Sequence, residues 1–351
     1  MPAVRDQAYR GIDNGRNTSS WGGAVLYDNT SKKYHMWAAE MTEHCGIGAW
    51  AQNSRIIRAE STSPGGPYLR KQVVYEVFSH EPEVVRGPNQ EYVMYFTADL
   101  RSQKGLCNCC QPNVSKCDGS TGPSDCPSSS FNPRLRDSDP TLMAWAQNPE
   151  GPWSAAKPLW PDYHGADTNF APLIFPNGSL VAIWREWTEK GSRCYLATAK
   201  NWSDPSTYIQ HLERGELFPD LGAAGTEDPF LYVDVDGTYH AVFHHMYGFN
   251  IETEWWLDAV GGHAFSRNGL DWTYSGVAWG NVSSTRQGNV VHFTDGGSFR
   301  YTRRERPHVV FNHEGEMSHL ITAAQYGFGK NPGTSGDNGD ACYTLLQPID
   351  N

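Results

Sequence analysis

The sequence predicts an all-β chain, a five-bladed β-propeller, and three observations carry that prediction. The composition favours short strands and tight turns: of 351 residues 13% are aromatic and only 19% charged, with 35 Gly and 22 Pro, residues that interrupt helices. One layout recurs along the chain. Residues 225–246, GTEDPFLYVDVDGTYHAVFHHM, open on Glu227, Asp228 and Pro229 and alternate through an apolar strand. They turn at Asp236-Gly237 and return through an aromatic, β-branched run, which is the pattern of a hairpin. Five such units of unequal length fit blades that each pack on the next. A sandwich would also supply alternating strands. Only inner strands that begin on one face around an axis, however, would make the acid-Pro pairs at the unit starts converge.

The units follow in order. The first is SWGGAVLYDNTSKKYHMWAAEM from Ser20 to Met41, with SRIIRAESTSPGGPYLRK as a third strand. The second starts at His80, HEPEVVRGPNQEYVMYFTADL, and resumes as DPTLMAWAQNPEGPW after an interruption. TNFAPLIFPNGSLVAIWREW with CYLATAK makes the third, and the 225–246 stretch continued by GGHAFSRNGLDWTYSG the fourth. The fifth is VVHFTDGGSFRYTRRERPHVVFNHEGEMSHLITAAQYG, closed by ACYTLLQPI. The chain therefore reads as one domain, 1–351. The interruption, about 101–136, is a polar insert holding Cys107, Cys109, Cys110, Cys117 and Cys126. A disulfide-stapled loop is expected there, and the odd number requires one cysteine to pair outside it or stay free. Zinc is disfavoured, because no paired C-x2-C spacing and no His occur in the insert.

The net charge of −11 opposes binding to nucleic acid. No apolar run approaches the roughly 20 residues of a membrane span, and the opening MPAVRDQAYR lacks a signal-peptide core. The even cysteine count, eight, and the sequons at Asn17, Asn29, Asn113, Asn177, Asn201 and Asn281 point to an oxidising, glycosylating route, hence a secreted protein. Oligomeric state is left open. No G-x-S-x-G, P-loop or dinucleotide fingerprint is present.

The segments T-E-D-P-F-L, G-G-H-A-F-S-R-N-G-L-D-W and R-R-E-R-P-H-V-V-F resemble those of the five-bladed β-propeller glycoside hydrolase superfamily, the group of arabinanases, arabinofuranosidases, invertases and levansucrases. As a pattern of blades the resemblance spans about residues 20–347. It implies a carbohydrate substrate, a plant or algal poly- or oligosaccharide, cleaved by paired carboxyl groups. One is a first-blade nucleophile or base, one a third-blade acid that tunes, and one a fourth-blade Glu that is general acid. Glu227 matches the fourth-blade position. The third falls at 167–169, making Asp167 the partner, with Asn169 beside it. The first blade departs, since Trp21-Gly22-Gly23 stand where Asp-Pro is expected. Asp13 upstream, or Glu81 or Glu305 from other blades, would complete the pair.

Two carboxyls of opposite ionisation are what such chemistry requires. Asp228 gives Glu227 a like-charge neighbour, and strand alternation would turn only one of them inward, Glu227. Glu305 sits among Arg303, Arg304 and Arg306, and an ion pair with Arg306 would keep it ionised. Arginines of this cluster left unpaired at the axis would take a carboxylated or sulfated sugar, and Arg185, between two aromatics, is a candidate substrate contact. Of the histidines, His244, His245, His263 and His308 follow the same strands, with His245 and His263 foremost as acid or ligand. One Ca2+ in the axial channel is compatible with the pattern, without a ligand set that the sequence identifies. Trp21 is a candidate sugar platform, as are Trp184, Trp187, Trp255 and Trp256. The rivals are a propeller that binds glycans without cleaving them and a metal-dependent lyase or hydrolase built on the histidines.

Overall fold

The turn residues decide where the chain reverses. At Asp236-Gly237 the Asp234 carboxylate accepts from the backbone N–H of Asp236 (3.0 Å) and Thr238 (2.8 Å). Gly237 there takes φ +79°, a conformation glycine reaches without steric cost. Asn312 does the same for Glu314 and Glu316, at 3.0 and 2.9 Å, around the turn 313–315.

The structure is a computed structural model that describes residues 1–4, 8–12, 18–98, 140–163, 168–189, 191–221, 225–250, 255–279, 289–301, 303–325 and 341–349. The cysteine-rich insert, Asp13 and Asp167 lie outside them. Four antiparallel sheets follow the chain directly. Blade one is β2 (Ser20–Asp28), β3 (Lys33–Met41), β4 (Ser54–Ser61) and β5 (Leu69–Tyr75). Blade two is β6 (Ser79–Arg86), β7 (Tyr92–Ala98), β8 (Thr141–Ala146) and β9 (Lys157–Pro158). Blade three is β10 (Thr168–Ile174), β11 (Leu180–Thr188), β12 (Gly191–Ala199) and β13 (Tyr208–Gln210). Blade four is β14 (Thr226–Val233), β15 (Tyr239–Asn250), β16 (Trp255–Ser266) and β17 (Thr273–Trp279).

Blade five closes the ring. It orders β20 (Arg303–Phe311), β21 (Met317–Gln325) and β22 (Cys342–Pro348), and its fourth strand is β1 (Ala8–Tyr9), from the other end of the chain. The sequence places residues 290–300 in this unit. They instead form a separate hairpin, β18 (Val290–His292) and β19 (Ser298–Arg300), because Ala8 and Tyr9 occupy the edge of β22 opposite Leu345 and Thr344.

Apolar faces fill the spaces between blades: Trp37, Val84 and Met94 between one and two, Tyr95, Phe170 and Trp184 between two and three, Ile183, Leu231 and Phe243 between three and four. Helix is confined to one turn, Trp50–Asn53, and short 3-10 segments among the described residues. Among the described residues no helix is long and apolar enough to cross a membrane. Cys194 is a buried free thiol, Cys342 is buried, and Cys45 is disulfide-bonded.

Closure is reinforced by Tyr9, whose hydroxyl donates to the fully buried Glu40 of blade one at 2.7 Å, beside Arg55 at 2.6 Å. Tyr9→Phe removes a donor from a buried carboxylate and should cost about 1.5–3 kcal/mol. Urea denaturation measures this; an unchanged midpoint would show that the contact does not hold the ring closed.

Candidate active site

All five inner strands carry the same irregularity. In each, two residues bulge opposite a single residue of the next strand: Gly22-Gly23, Glu81-Pro82, Asn169-Phe170, Asp228-Pro229 and Arg306-Pro307. The first residue of each pair has positive φ, between 51° and 60°. Proline suits the second place, where no ladder N–H is required. The recurring acid-Pro pairs are thus bulges. Left-handed backbone at four non-glycine residues costs on the order of 1 kcal/mol each.

These first residues meet one another. The Arg306 guanidinium lies 3.4 Å from Asp228 Oδ1 and 3.6 Å from Glu81 Oε2, and its backbone N–H donates to Asp228 Oδ2 at 3.2 Å. Asn169 Nδ2 donates to Glu81 Oε2, and Arg185 Nε donates to Asn169 Oδ1 at 2.9 Å. The missing first-blade acid is explained by the same ring. A Cβ on Gly22 would lie 2.6 Å from Arg306 Cδ, so the side chain of blade five occupies the space of blade one.

The residues just before the bulges form a second tier: Trp21, His80, Thr168, Glu227 and Glu305. Glu227 and Glu305 flank His244, with Nδ1 3.1 Å from Glu227 Oε1 and Nε2 3.8 Å from Glu305 Oε1. Arg303 Nε donates to Glu305 at 2.5 Å. Ser54 Oγ lies 2.6 Å from His80 Nδ1, and His80 Nε2 lies 3.6 Å from Glu81.

Electrostatics separates the carboxyls. Burial opposes ionisation of Glu227, but the hydrogen bond and charge of His244, with Arg185 and Arg303 nearby, hold it down at about 2. Burial, with the Glu81 and Glu227 carboxylates alongside, pushes Asp228 up to about 8 against the pull of Arg306. Glu81 is raised by burial, with Arg306 and Arg185 opposing and Glu227 and Glu305 reinforcing. Burial works against protonation of His244, yet Glu305 and Glu227 raise it. Burial and Arg306 lower His80 well below the usual histidine range.

Several expectations need correction. Alternation was to turn one of Glu227 and Asp228 inward; the bulge brings in both. The partner of Glu305 is Arg303, while Arg306 serves Asp228 and Glu81. His244 takes the place at the site expected of His245. The register out of the Asp236-Gly237 turn sets Val233 opposite Tyr239 and Phe230 opposite Val242, and without the bulge it would carry Glu227 opposite His245. The bulge moves it by one. His245 lies 3.4 Å from the Leu221 carbonyl and edges onto Tyr274. His263 is engaged by His240 (3.0 Å) and Ser275 (2.5 Å) away from the ring. His308 lies one step deeper, 3.4 Å from Glu83 and packed on Phe230. Trp21 is buried with Ala39, Met41 and Ala323 beneath Arg303 rather than lining an open cleft.

Atoms of Glu227, Asp228, His244 and Glu305 that can ligate a metal lie within 4.8 Å of one another. Among the described residues, His244 Nε2 is buried without a hydrogen-bond partner. Three carboxylates and an imidazole fit a divalent cation, the imidazole favouring a borderline ion over Ca2+.

This chain has the fold of the five-bladed glycoside hydrolases. Neither a protein-family model nor a curated protein matches the sequence. Solved structures do match over nearly the whole length. A thermostable family-43 glycoside hydrolase aligns at 12% identity and TM-score 0.56, covering 97% of this chain and 92% of its own. The α-L-arabinofuranosidase of Podospora anserina, solved with cellotriose, aligns at 11% and 0.56, covering 99% and 95%. A family-117 glycoside hydrolase of the marine bacterium Zobellia galactanivorans aligns at 11% and 0.54, covering 100% and 91%. At these identities the likeness is one of propeller architecture, and the chemistry rests on the ring itself.

Gly22→Ala should destabilise the fold by about 1–3 kcal/mol by displacing Arg306. Combined with Arg306→Ala, which vacates the space, its cost should shrink. Strict additivity in the double-mutant cycle would show that the two positions do not compete for one volume.

Proposed function

We propose that the protein is a glycoside hydrolase that cleaves a plant or algal poly- or oligosaccharide at the axial ring, with Glu227 ionised and Glu81 protonated as the working pair. The observation that carries this is that, at the least covered part of the cluster, their surroundings push the two carboxyls in opposite directions, Glu227 down and Glu81 up. Both side chains are 13% exposed, against 2% for Glu305 and 4% for Asp228. Pairs of acids pushed apart by their surroundings divide the roles of acid and base. Glu81 gives its proton to the glycosidic oxygen as the bond to the anomeric carbon breaks. Glu227 attacks that carbon or takes the proton of the water that does.

This reverses the role that sequence position suggests for Glu227, because His244 favours its charged form. Glu305, paired with Arg303, and Asp228, held by Arg306, position His244 and the ring. Were a divalent cation held instead by Glu227, Asp228, His244 and Glu305, Glu227 would serve as a ligand rather than as the base, and the cation would polarise a sugar hydroxyl.

Three of the sequon asparagines, Asn29, Asn177 and Asn201, are exposed at blade turns. With the disulfide-bonded Cys45, they support a secreted, disulfide-containing glycoprotein.

Hydrolysis across a panel of plant and algal oligosaccharides tests the enzyme. Glu227→Gln and Glu81→Gln should each lower kcat by about 10²–10⁴-fold. Binding without turnover on any substrate would instead make the propeller a glycan-binding protein. The pH profile follows from the two directions. Glu227 stays ionised down to about pH 2, so the acid limb lies far down. Protonated Glu81 is lost as pH rises through its elevated pKa, so kcat/KM falls on the alkaline side. An alkaline limb that survives Glu81→Gln would assign the proton to another group, and loss of turnover in chelator would assign Glu227 to a metal.

A further inference from the structure

The five blades also offer a matched set on their second strands. Opposite the residue that precedes each bulge stand Ala39, Thr97, Arg185, His244 and Ala323. Two are small, and His244 is committed to Glu227. Arg185 is different. Its Nε is anchored on Asn169 Oδ1 at 2.9 Å, which fixes the plane of the guanidinium. Its terminal nitrogens have no carboxylate partner among the described residues, whereas Arg303 is paired with Glu305, and Arg306 with Asp228 and Glu81.

Directly across the ladder lies Thr168, whose side chain shares a face with that of Arg185 because cross-strand partners project together. Thr168 is 5% exposed, and its hydroxyl is buried without a hydrogen-bond partner among the described residues. A buried polar group left unsatisfied is costly and calls for a partner. The Trp187 ring, half-buried on the same strand, lies beneath the guanidinium, 5.9 Å from its carbon to the ring centre, a cation–π contact that helps hold Arg185 in place.

We propose that Arg185 and Thr168 form an anion-binding subsite, so that the substrate is an acidic glycan carrying a carboxylate or sulfate. The anchored guanidinium presents a two-pronged donor edge to two oxygens of the anion, and the threonine hydroxyl donates to the same group. Without such a cation, the acidic ring of Glu81, Glu227, Asp228 and Glu305 would repel a charged sugar. The inference rests on the hydrolase reading for the place of cleavage but is tested separately from it.

Calorimetric binding to the full chain compares oligogalacturonides with their carboxyl-reduced counterparts, and sulfated algal galactan oligosaccharides with their desulfated ones. One acidic probe should bind roughly ten- to hundred-fold more tightly than its neutral match, and which pair responds tells carboxylate from sulfate. Arg185→Gln should bring that ratio close to one, Arg185→Lys should keep part of it, and Thr168→Val should lower it. Equal affinity for acidic and neutral probes in the wild type, a comparison that needs no variant, overturns the subsite, as does a ratio unchanged in a folded Arg185→Gln. Arg185-dependent acidic binding with no turnover would sink the hydrolase and leave the subsite standing. Turnover confined to neutral oligosaccharides would do the reverse.

Discussion

The site depends on one backbone device, the two-residue bulge repeated at the start of every inner strand. A regular strand turns alternate side chains to opposite faces. Neighbouring residues such as Glu227 and Asp228 could not both serve one site from such a strand. The bulge breaks that alternation and holds its first residue with φ near +55°. Five copies around an axis then concentrate carboxyl and guanidinium groups in a small buried volume. Arg306 is the hub, tied to Asp228 and Glu81 and packed over Gly22. Blades one, two and four are therefore linked through one side chain of blade five.

Such concentration is costly, and the cost explains the chemistry. Four carboxyls cannot all ionise beside one another in a poorly solvated space. His244, Arg303 and Arg306 neutralise part of the cluster, and the rest is settled by proton uptake, so Glu227 stays charged while Asp228 and Glu81 tend toward protonation. The opposed ionisation that glycosidic cleavage needs arises from unequal sharing of cations around a symmetric frame. A different arrangement of arginines on the same propeller would move the proton elsewhere, and so the fold alone does not specify the reaction.

Much of the architecture was legible in the chain. The turns at Asp236-Gly237, Asn177-Gly178 and 313–315 mark hairpins because their residues accept conformations or hydrogen bonds that others do not. Acid-Pro pairs mark the inner strands. What could not be read was the closing strand, since Ala8-Tyr9 is too short to show periodicity and pairs with residues more than 300 positions away. Counting back from the Asp236-Gly237 turn carries Glu227 opposite His245, and only the bulge at Asp228-Pro229, which shifts the register by one, brings His244 there instead.

The sequence by itself determined the five hairpin units, the acids at their starts and the glycine that interrupts the set, because these follow from local backbone preference. Tertiary structure alone decided which charges meet. Arg306 filling the space over Gly22, Arg303 rather than Arg306 on Glu305, and Arg185 left facing Thr168 are contacts among blades or across ladders. Their partners are set by register shifts and ring closure, and local pattern carries no information about either.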